Sequence, residues 1–519
     1  MPVIDCIDID AQEAKKVAIQ PEFSTVKVNL SKTLSKIQTQ IKGKIAVSEG
    51  EIAKILSVDA TAVCSPSEVF VGEVRYCGRV NFSVIYLDKD GKNRNTQTSV
   101  EFSGKAENED IKANSRARIV CSLLDCETIA VGDDEISLGA VVEVDITVFA
   151  EAEVSYLAGA DGLYYEKGLL EYCKTCCSGK AVGESETEIA VKMEQILCYN
   201  HNICISNAIC GVDYIKIIGF IKTRIVGQDE NGLISCQEIT TPINDEISAL
   251  NATVGDIATV WASVSTTERA DDSENGKKVE LNYTISYEYS VCTNSSVETI
   301  TNVFSPCCEL SAQKQDFLVC YNRNPICITE RAEGSVILPD DTPIIDNILG
   351  VASEKIAITN IIANDGEVVV EGILSASVVY YSAEPGIENT ATAELPFALS
   401  LRADEVKTGD KVCATATIKD MSVRLRRGNE LDLRAEIALC LSSYSQVERT
   451  VIVSVVEGEN LPIPTCAFGV HIAREGESLW DCCKALCVTP ETLIAQNPNC
   501  NKKTFDGGEK IVIYRKALS

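Results

Sequence analysis

Three stretches of the chain alternate apolar and polar residues with a period of two. The apolar positions are Val142, Val144, Ile146 and Val148 in the first stretch, Val279, Leu281, Tyr283, Ile285 and Tyr287 in the second, and Leu431, Leu433, Ala435, Ile437 and Leu439 in the third. A period of two places alternate side chains on opposite faces of a strand. Each stretch therefore predicts an antiparallel strand with one face on a core and the other in solvent.

Each of these strands closes one copy of a longer repeat. A glycine marks the same place in every copy, at Gly78, Gly219 and Gly372, and these glycines are 141 and 153 residues apart. The leucine of an Ile-Leu pair precedes the glycine by 22, 22 and 23 residues, at Leu56, Leu197 and Leu349. An apolar residue follows it by 24, 24 and 25 residues, at Phe102, Ile243 and Phe397. The agreement of three landmarks predicts three tandem modules of one fold.

The composition of the copies favours a mainly β fold. β-Branched residues dominate the apolar runs, and Asp/Gly turns such as 88–91 and 229–232 separate them, which is typical of an all-β sandwich. We predict an N-terminal tail at 1–17, sandwich-like repeats at 18–160, 184–306 and 331–460, a Cys-containing linker at 161–183, a second linker at 307–330, and a small C-terminal domain at 466–519.

The C-terminal segment has a different, βααβ pattern. Ser478 with Asp481 three residues later forms a capping-box sequence at the start of a first helix. Thr489 followed by Pro490 predicts the start of a second helix, which Asn497-Pro498 ends. Short strands are predicted on either side, around 470–472 and 510–513.

This order of strand, Gly-acid-hydroxyl-Leu turn, two helices, Asn-Pro turn and strand resembles a LysM module. The resemblance implies a binding groove flanked by the two turns, formed by Gly476, Glu477, Ser478, Leu479, Trp480, Asn497 and Pro498. Such a groove usually receives an N-acetylated glycan. Trp480 suits this role because aromatic anchors are enriched at binding hot spots, and the alternative for Trp480 is a buried core position on the first helix.

The three β-repeats followed by one LysM-like unit resemble the SPOCS-domain spore-coat proteins of endospore-forming clostridia. The resemblance implies a non-enzymatic morphogenetic scaffold in the mother-cell cytoplasm at the forespore surface, within the spore coat. Its LysM would bind a spore-coat morphogenetic ATPase, SpoIVA-like, and other coat proteins would be further partners. The second repeat departs from the pattern, since Gly227 replaces the tyrosine found at Tyr86 and Tyr380. The alternative function is LysM-mediated binding of peptidoglycan in the cell wall.

The charge of the chain argues against polyanionic partners. Lys plus Arg is 47 and Asp plus Glu is 76, which gives 47 − 76 = −29, and a surface of this sign repels nucleic acid and anionic lipids. The segment 1–10 has no cationic start followed by an apolar core, so we expect no secretory signal. No apolar run approaches the roughly 18 residues of a membrane span, so no membrane insertion is expected.

No catalytic signature stands out, so we expect no enzyme, no cofactor and no metal. The two histidines are His201 and His471, and neither phosphate-loop nor nucleophile-elbow motifs occur. A thiol- or metal-dependent enzyme is a further alternative, which would need a bound metal or a cysteine of low pKa.

The 24 cysteines suggest reduced thiols if the chain stays in a cytoplasm, mostly as small buried hydrophobes, for example Cys77, Cys121 and Cys483. A less favoured alternative is a zinc site built from Cys173, Cys176 and Cys177 with Cys307-Cys308. A third hypothesis is that these linker thiols form intermolecular cross-links once the mother cell lyses.

Overall fold

The fold is built almost entirely from antiparallel strands. The computed structural model describes residues 19–33, 36–47, 50–64, 68–112, 115–132, 135–273, 276–306, 308–382, 387–461, 468–502 and 504–514. The predicted tail at 1–17 lies outside these residues. The mainly β prediction is confirmed, because the only α-helices in the described part of the chain are two short ones near its C-terminal end.

The first module is a sandwich of two sheets. Its strands are β1 (Gln20–Thr33), β2 (Ile37–Ala46), β3 (Ile52–Cys64), β4 (Glu68–Phe70), β5 (Glu73–Asp88), β6 (Asn93–Glu107), β7 (Arg116–Val131) and β8 (Glu135–Asp161). One sheet has β8 between β7 and the pair β1 and β2, and the other has β5 between β3 and β6, with β4 beside β5. The alternating strand predicted around Val144 lies in β8, and its apolar side chains are buried against the opposite sheet.

The second and third modules repeat this strand order. The second has β9 (Tyr164–Val191), β10 (Gln195–Cys210), β11 (Tyr214–Gln228), β12 (Ile234–Ser248), β13 (Ile257–Ser273) and β14 (Gly276–Phe304). The third has β15 (Cys308–Asn322), β16 (Ile326–Ile337), β17 (Asn347–Asn364), β18 (Glu367–Ser382), β19 (Ile387–Arg402), β20 (Lys411–Arg427) and β21 (Glu430–Asn460). The long strands β14 and β21 occupy the place of β8, and both other predicted alternating runs lie in them.

The prediction of linkers at 161–183 and 307–330 is wrong. Residues 164–183 belong to β9, which pairs with β14 along nearly its whole length, and residues 308–322 form β15. In the first and third modules two consecutive strands occupy this edge, β1 with β2 and β15 with β16. In the second module the continuous strand β9 occupies it. Many side chains of these segments are exposed, as an edge strand allows, whereas Leu170, Tyr172 and Val319 are buried.

The landmark glycines are explained by close approach of neighbouring strands. Gly78 lies opposite Phe102, and Gly372 lies opposite Phe397. A Cβ at Gly78 would come within 2.5 Å of the Phe102 ring and 2.6 Å of the Val63 carbonyl oxygen. The same two contacts recur at Gly372, where the ring and a backbone carbonyl would each be 2.5 Å away. Glycine is therefore required sterically, and the phenylalanine covers the gap in the sheet.

The long strands extend beyond their sandwiches as two-stranded stalks. The first stalk pairs β1 with residues 147–161, the second pairs 164–175 with 292–304, and the third pairs β15 with 444–460. Apolar side chains from all three stalks form two shared cores, which include Val28, Tyr156, Leu157, Leu170, Tyr172, Ile300, Val319, Val451 and Ile452. The modules are thus held together as one unit by burial of apolar surface.

A second contact between the modules uses the repeat landmarks themselves. Leu56, Leu197 and Leu349 meet in one apolar cluster, to which each module adds the residue seven places after its glycine, Ile85, Val226 and Val379. Equivalent residues of the three repeats therefore converge at one place. This explains why the Ile-Leu pair recurs at nearly constant distance from the glycine.

Buried charges join the second module to the third. Lys222 Nζ lies 2.8 Å from Glu354 Oε1 and 3.1 Å from Glu238 Oε2, and Arg224 pairs with both carboxylates. The side chains of Lys222, Arg224 and Glu354 are at most 4 % exposed. Burial alone would lower the pKa of Arg224, but the two carboxylates outweigh it and raise that pKa. The charges of two cations and two anions therefore cancel in the interface.

The C-terminal domain has the predicted βααβ order. It contains β22 (Phe468–Ile472), α1 (Leu479–Leu486), α2 (Pro490–Gln496), a 3-10 turn (Pro498–Cys500) and β23 (Lys510–Tyr514). β22 and β23 pair antiparallel, and the two helices pack on a small core. In the part of the chain that the structure describes, no helix is both long and apolar enough to cross a membrane.

Candidate functional site

The first turn of the predicted groove is exposed at its tip and fixed at its base. Gly476 is exposed with φ of 78°, a left-handed conformation that favours glycine. Backbone hydrogen bonds join the turn to the segment before β23, because Gly476 N donates to Phe505 O and Phe505 N donates to Glu477 O, each at 2.9 Å. The turn therefore presents a rigid backbone.

The carboxylate of Glu477 is already engaged within the domain. It accepts a hydrogen bond from Arg474 N at 2.7 Å and lies 2.9 Å from His471 Nε2. The backbone hydrogen bond from Arg474, followed by the contact with His471, holds the pKa of Glu477 below its usual range. Glu477 therefore orders the turn, and its partner His471 is half-buried.

Ser478 caps helix α1 as the sequence predicts. Its hydroxyl accepts from Asp481 N at 3.1 Å, and the Asp481 carboxylate accepts from Ser478 N, so the capping box is confirmed. The hydrogen bonds from Ser478 lower the pKa of Asp481. Leu479, the first residue of the helix, is half-buried at the edge of the core.

Trp480 is buried between the C-terminal domain and the second stalk. It is 6 % exposed and meets the Phe304 ring edge to face, with ring centroids 5.1 Å apart. Tyr164 lies opposite Phe304 in the stalk and packs on it. Nearby, Lys484 Nζ donates to Asn302 Oδ1 at 2.8 Å. Of the two alternatives for Trp480, the buried one describes its position, so the indole is not a free anchor in this arrangement.

The second turn is held against the closing strand by its asparagine. Asn497 Nδ2 donates to Val512 O at 2.7 Å, and Asn497 Oδ1 accepts from Val512 N at 2.9 Å. Gln496 makes the same pair of bonds with Tyr514. Pro498 is exposed. At the predicted site, the surface offered to a ligand thus comes mainly from Gly476, part of Leu479 and Pro498.

The outer side of the small sheet carries an apolar face that the sequence analysis does not predict. Phe468, Val470 and Ile472 lie on one face of β22 and are 48–60 % exposed, and Tyr514 packs beside Phe468 with 5.3 Å between ring centroids. The period-two pattern of Phe468, Val470 and Ile472 would have indicated it. We call these four residues the outer sheet face.

The cysteines are more varied than the sequence suggested. Cys483 is buried as predicted, but Cys77 is exposed and Cys121 is joined to Cys64 as a disulfide, so the interpretation of both as buried free thiols is wrong. Cys77 differs because it points to the outer face of β5, whose other face builds the core.

The zinc alternative is not favoured by the described residues. Cys173, Cys176 and Cys177 lie in β9 and Cys308 begins β15, while Cys307 lies outside the described residues. Two other groups bring three potential ligands within 4.8 Å of one another, namely Cys204, Cys327 and Cys440, and His471, Glu477 and Cys482. Neither group was anticipated.

One cysteine has a lowered pKa, the feature that the thiol-enzyme alternative requires. A hydrogen bond from Cys173 lowers the pKa of Cys292 to about 6 despite burial, and Asn29 Nδ2 also lies 3.5 Å from its sulfur. Cys292 is 5 % exposed at the base of the stalks, and both histidines are engaged elsewhere, His201 with Thr223 and His471 with Glu477. This sulfur is therefore poorly accessible to a substrate.

Comparison with known proteins identifies one module. A family model described as "SipL, SPOCS domain" matches residues 345–426. These residues of the third module are therefore similar to a SPOCS domain. The match covers β17 to β20, and by strand order the equivalent ranges are 52–131 in the first module and 195–273 in the second. No similar protein was found among curated proteins or among solved structures.

The match is confined to residues 345–426, so the likeness to a SPOCS domain concerns the third module. The C-terminal domain lies outside the matched residues, so its LysM character stays a prediction. The groove residues and the partner likewise stay predictions.

Proposed function

We propose that the chain is a non-enzymatic spore-coat scaffold whose C-terminal domain docks to a coat-assembly ATPase at the forespore surface. The observation that carries the proposal is the SPOCS match in the third module, together with the same strand order in the other two. The scaffold would act in the mother-cell cytoplasm and become part of the coat.

The packing of the modules favours a scaffold over a flexible tether. The three stalks share two apolar cores, and buried ion pairs join the second module to the third. The C-terminal domain rests on the second stalk through Trp480 and Phe304, with its two turns at the surface. Such a unit holds a docking surface at a fixed position, which reduces the entropy lost on binding.

The proposed docking surface consists of Gly476, Leu479 and Pro498. A charge introduced there would be desolvated on binding and should weaken it by a factor of ten or more, about 1.4 kcal/mol. We would measure binding of the full chain to the purified coat-assembly ATPase for Leu479→Lys and Pro498→Glu. Leu318→Lys, at an exposed apolar position on the third stalk, is the matched control.

The outcomes separate the two functions. Loss of ATPase binding in both variants but not in the control supports the proposal, provided that circular dichroism and Trp480 fluorescence are unchanged. The cell-wall function would replace the proposal if the full chain did not bind the ATPase but was retained on purified peptidoglycan, and if the same substitutions abolished that retention.

A further inference from the structure

Three cysteine sulfurs meet where the second module contacts the third. Cys327 and Cys440 lie directly opposite each other in β16 and β21 and are joined as a disulfide within the third module. Cys204, in β10 of the second module, places its sulfur 3.6 Å from that of Cys440. All three sulfurs lie within 4.8 Å of one another.

The backbone around Cys204 holds this thiol against the disulfide. The Cys440 sulfur is 3.2 Å from the carbonyl oxygen of Ile205, the next residue in β10. On its other side β10 approaches β11 so closely that a Cβ at Gly219 would lie 2.2 Å from the Cys204 carbonyl oxygen. Cys204 is only 4 % exposed. The contact between the thiol and the disulfide is therefore part of the packed interface.

We propose that Cys204 exchanges with the Cys327–Cys440 disulfide and so moves a cross-link from within the third module to between the second and third modules. The Cys204 thiolate attacks the Cys440 sulfur, the Cys204–Cys440 bond forms, and the Cys327–Cys440 bond breaks. Cys327 leaves as a thiolate and takes up the proton that Cys204 gave up. One disulfide and one thiol are present before and after, so the step needs neither oxidant nor reductant.

The exchange changes what the disulfide holds together. The Cys327–Cys440 bond joins two paired strands separated by 113 residues, whereas a Cys204–Cys440 bond would span 236 residues and two modules. A bond between modules removes more conformational freedom from the unfolded chain. Burial raises the pKa of the Cys204 thiol, and contacts with Ser206 and Thr417 partly oppose this. Since the thiolate is the attacking form, the exchange should be faster at higher pH.

Peptide mapping of the full chain tests the proposal. The purified protein is incubated without oxidant at pH 7.0 and 8.5, quenched with acid, alkylated in denaturant and digested without reduction. We expect a Cys204–Cys440 peptide pair with alkylated Cys327, formed about 30-fold faster at pH 8.5, because the thiolate fraction rises about tenfold per pH unit below the pKa. Cys204→Ser should retain the Cys327–Cys440 pair alone.

Several results would overturn the proposal. One is a starting protein without the Cys327–Cys440 pair, and another is a Cys204 that stays alkylated after incubation at both pH values. In Cys327→Ser, diamide should join Cys204 to Cys440 directly. Failure of that bond to form in a protein with an unchanged circular dichroism spectrum would show that the two sulfurs do not meet in solution.

Discussion

The indole of Trp480 meets the ring of Phe304 edge to face, with 5.1 Å between the ring centroids. Trp480 belongs to the first helix of the C-terminal domain, and Phe304 is the last residue of the second stalk. The pair therefore couples the proposed docking domain to the rigid part of the molecule. Both side chains are nearly fully buried, so each depends on the other for exclusion from water.

Phe304→Ala should release the C-terminal domain from the stalk. Loss of this ring costs about 3 to 5 kcal/mol of packing at the interface and exposes Trp480. In a Trp261→Phe background Trp480 is the single tryptophan, and its emission should shift to longer wavelength. Phe468→Ala, which removes an exposed ring from the same domain, is the control and should not shift it. An unshifted emission in Phe304→Ala would mean that the domain does not rest on the stalk.

Gly372→Ala should destabilise the third module. The added methyl group would press on the Phe397 ring and on a backbone carbonyl, and such overpacking typically costs about 1 to 3 kcal/mol. Urea denaturation measures the loss. Gly159→Ala is the matched control, because its methyl group would meet only the flexible Glu22 side chain at 3.1 Å. Equal midpoints for both variants would contradict the steric explanation of the repeat landmark.

Glu354→Ala should weaken the interface between the second and third modules. The substitution leaves Lys222 and Arg224 buried with Glu238 as their remaining partner, and breaking a buried ion pair costs about 3 to 5 kcal/mol. Glu333→Ala removes an exposed pair with Arg434 and should cost less than about 1 kcal/mol. Denaturation of both variants provides the comparison. A loss for Glu354→Ala no greater than for Glu333→Ala would rule out a structural role for the network.

Much of the local structure could be predicted from the sequence. The alternating runs predicted β8, β14 and β21, and the caps at Ser478 and Thr489 predicted both helices, because each signal depends on neighbours close in sequence. The landmarks also indicated a repeated fold. Their spacing indicates which residues occupy equivalent positions in the three repeats, and these residues do occupy equivalent positions in the structure.

The partners of buried residues could not be predicted in the same way. Leu56, Leu197 and Leu349 stood out as equivalent, but nothing in their spacing shows that they meet each other across three modules. Likewise, the sequence around Trp480 is compatible with a buried side chain or with a ligand-binding one. Only the tertiary structure shows that Phe304 is its neighbour. The segments 161–183 and 307–330 look like linkers in the sequence because the strands that pair with them, β14 and β21, lie far away along the chain.

A carboxylate at the meeting point of all three modules should make stability depend on pH. Glu388 of the third module accepts hydrogen bonds from Asn93 Nδ2 of the first and Ile234 N of the second, each at 2.6 Å. Burial nevertheless raises the pKa of Glu388 above its ordinary value of 4.5. The folded state then binds the proton more tightly than the unfolded state. The stability that this group contributes is therefore fully present below pH 4.5 and is lost as the pH rises through its folded-state pKa.

Glu388→Gln should remove this pH-dependent loss of stability and so stabilise the protein at pH 7. The amide keeps an oxygen for Ile234 N, and its NH₂ group replaces the oxygen that accepts from Asn93 Nδ2. A turn of the Asn93 amide then presents Asn93 Oδ1 to this NH₂ group, and Asn93 Oδ1 is a buried acceptor that lacks a hydrogen-bond partner among the described residues. The gain in free energy of unfolding over the natural protein should grow between pH 4.5 and pH 7, as measured by urea denaturation at several pH values. Glu394→Gln, at an exposed position of the same strand, should change stability by less than about 0.5 kcal/mol at each pH. A gain that is constant with pH, or a loss at pH 7, would show that the Glu388 carboxylate is not penalised by burial at this junction.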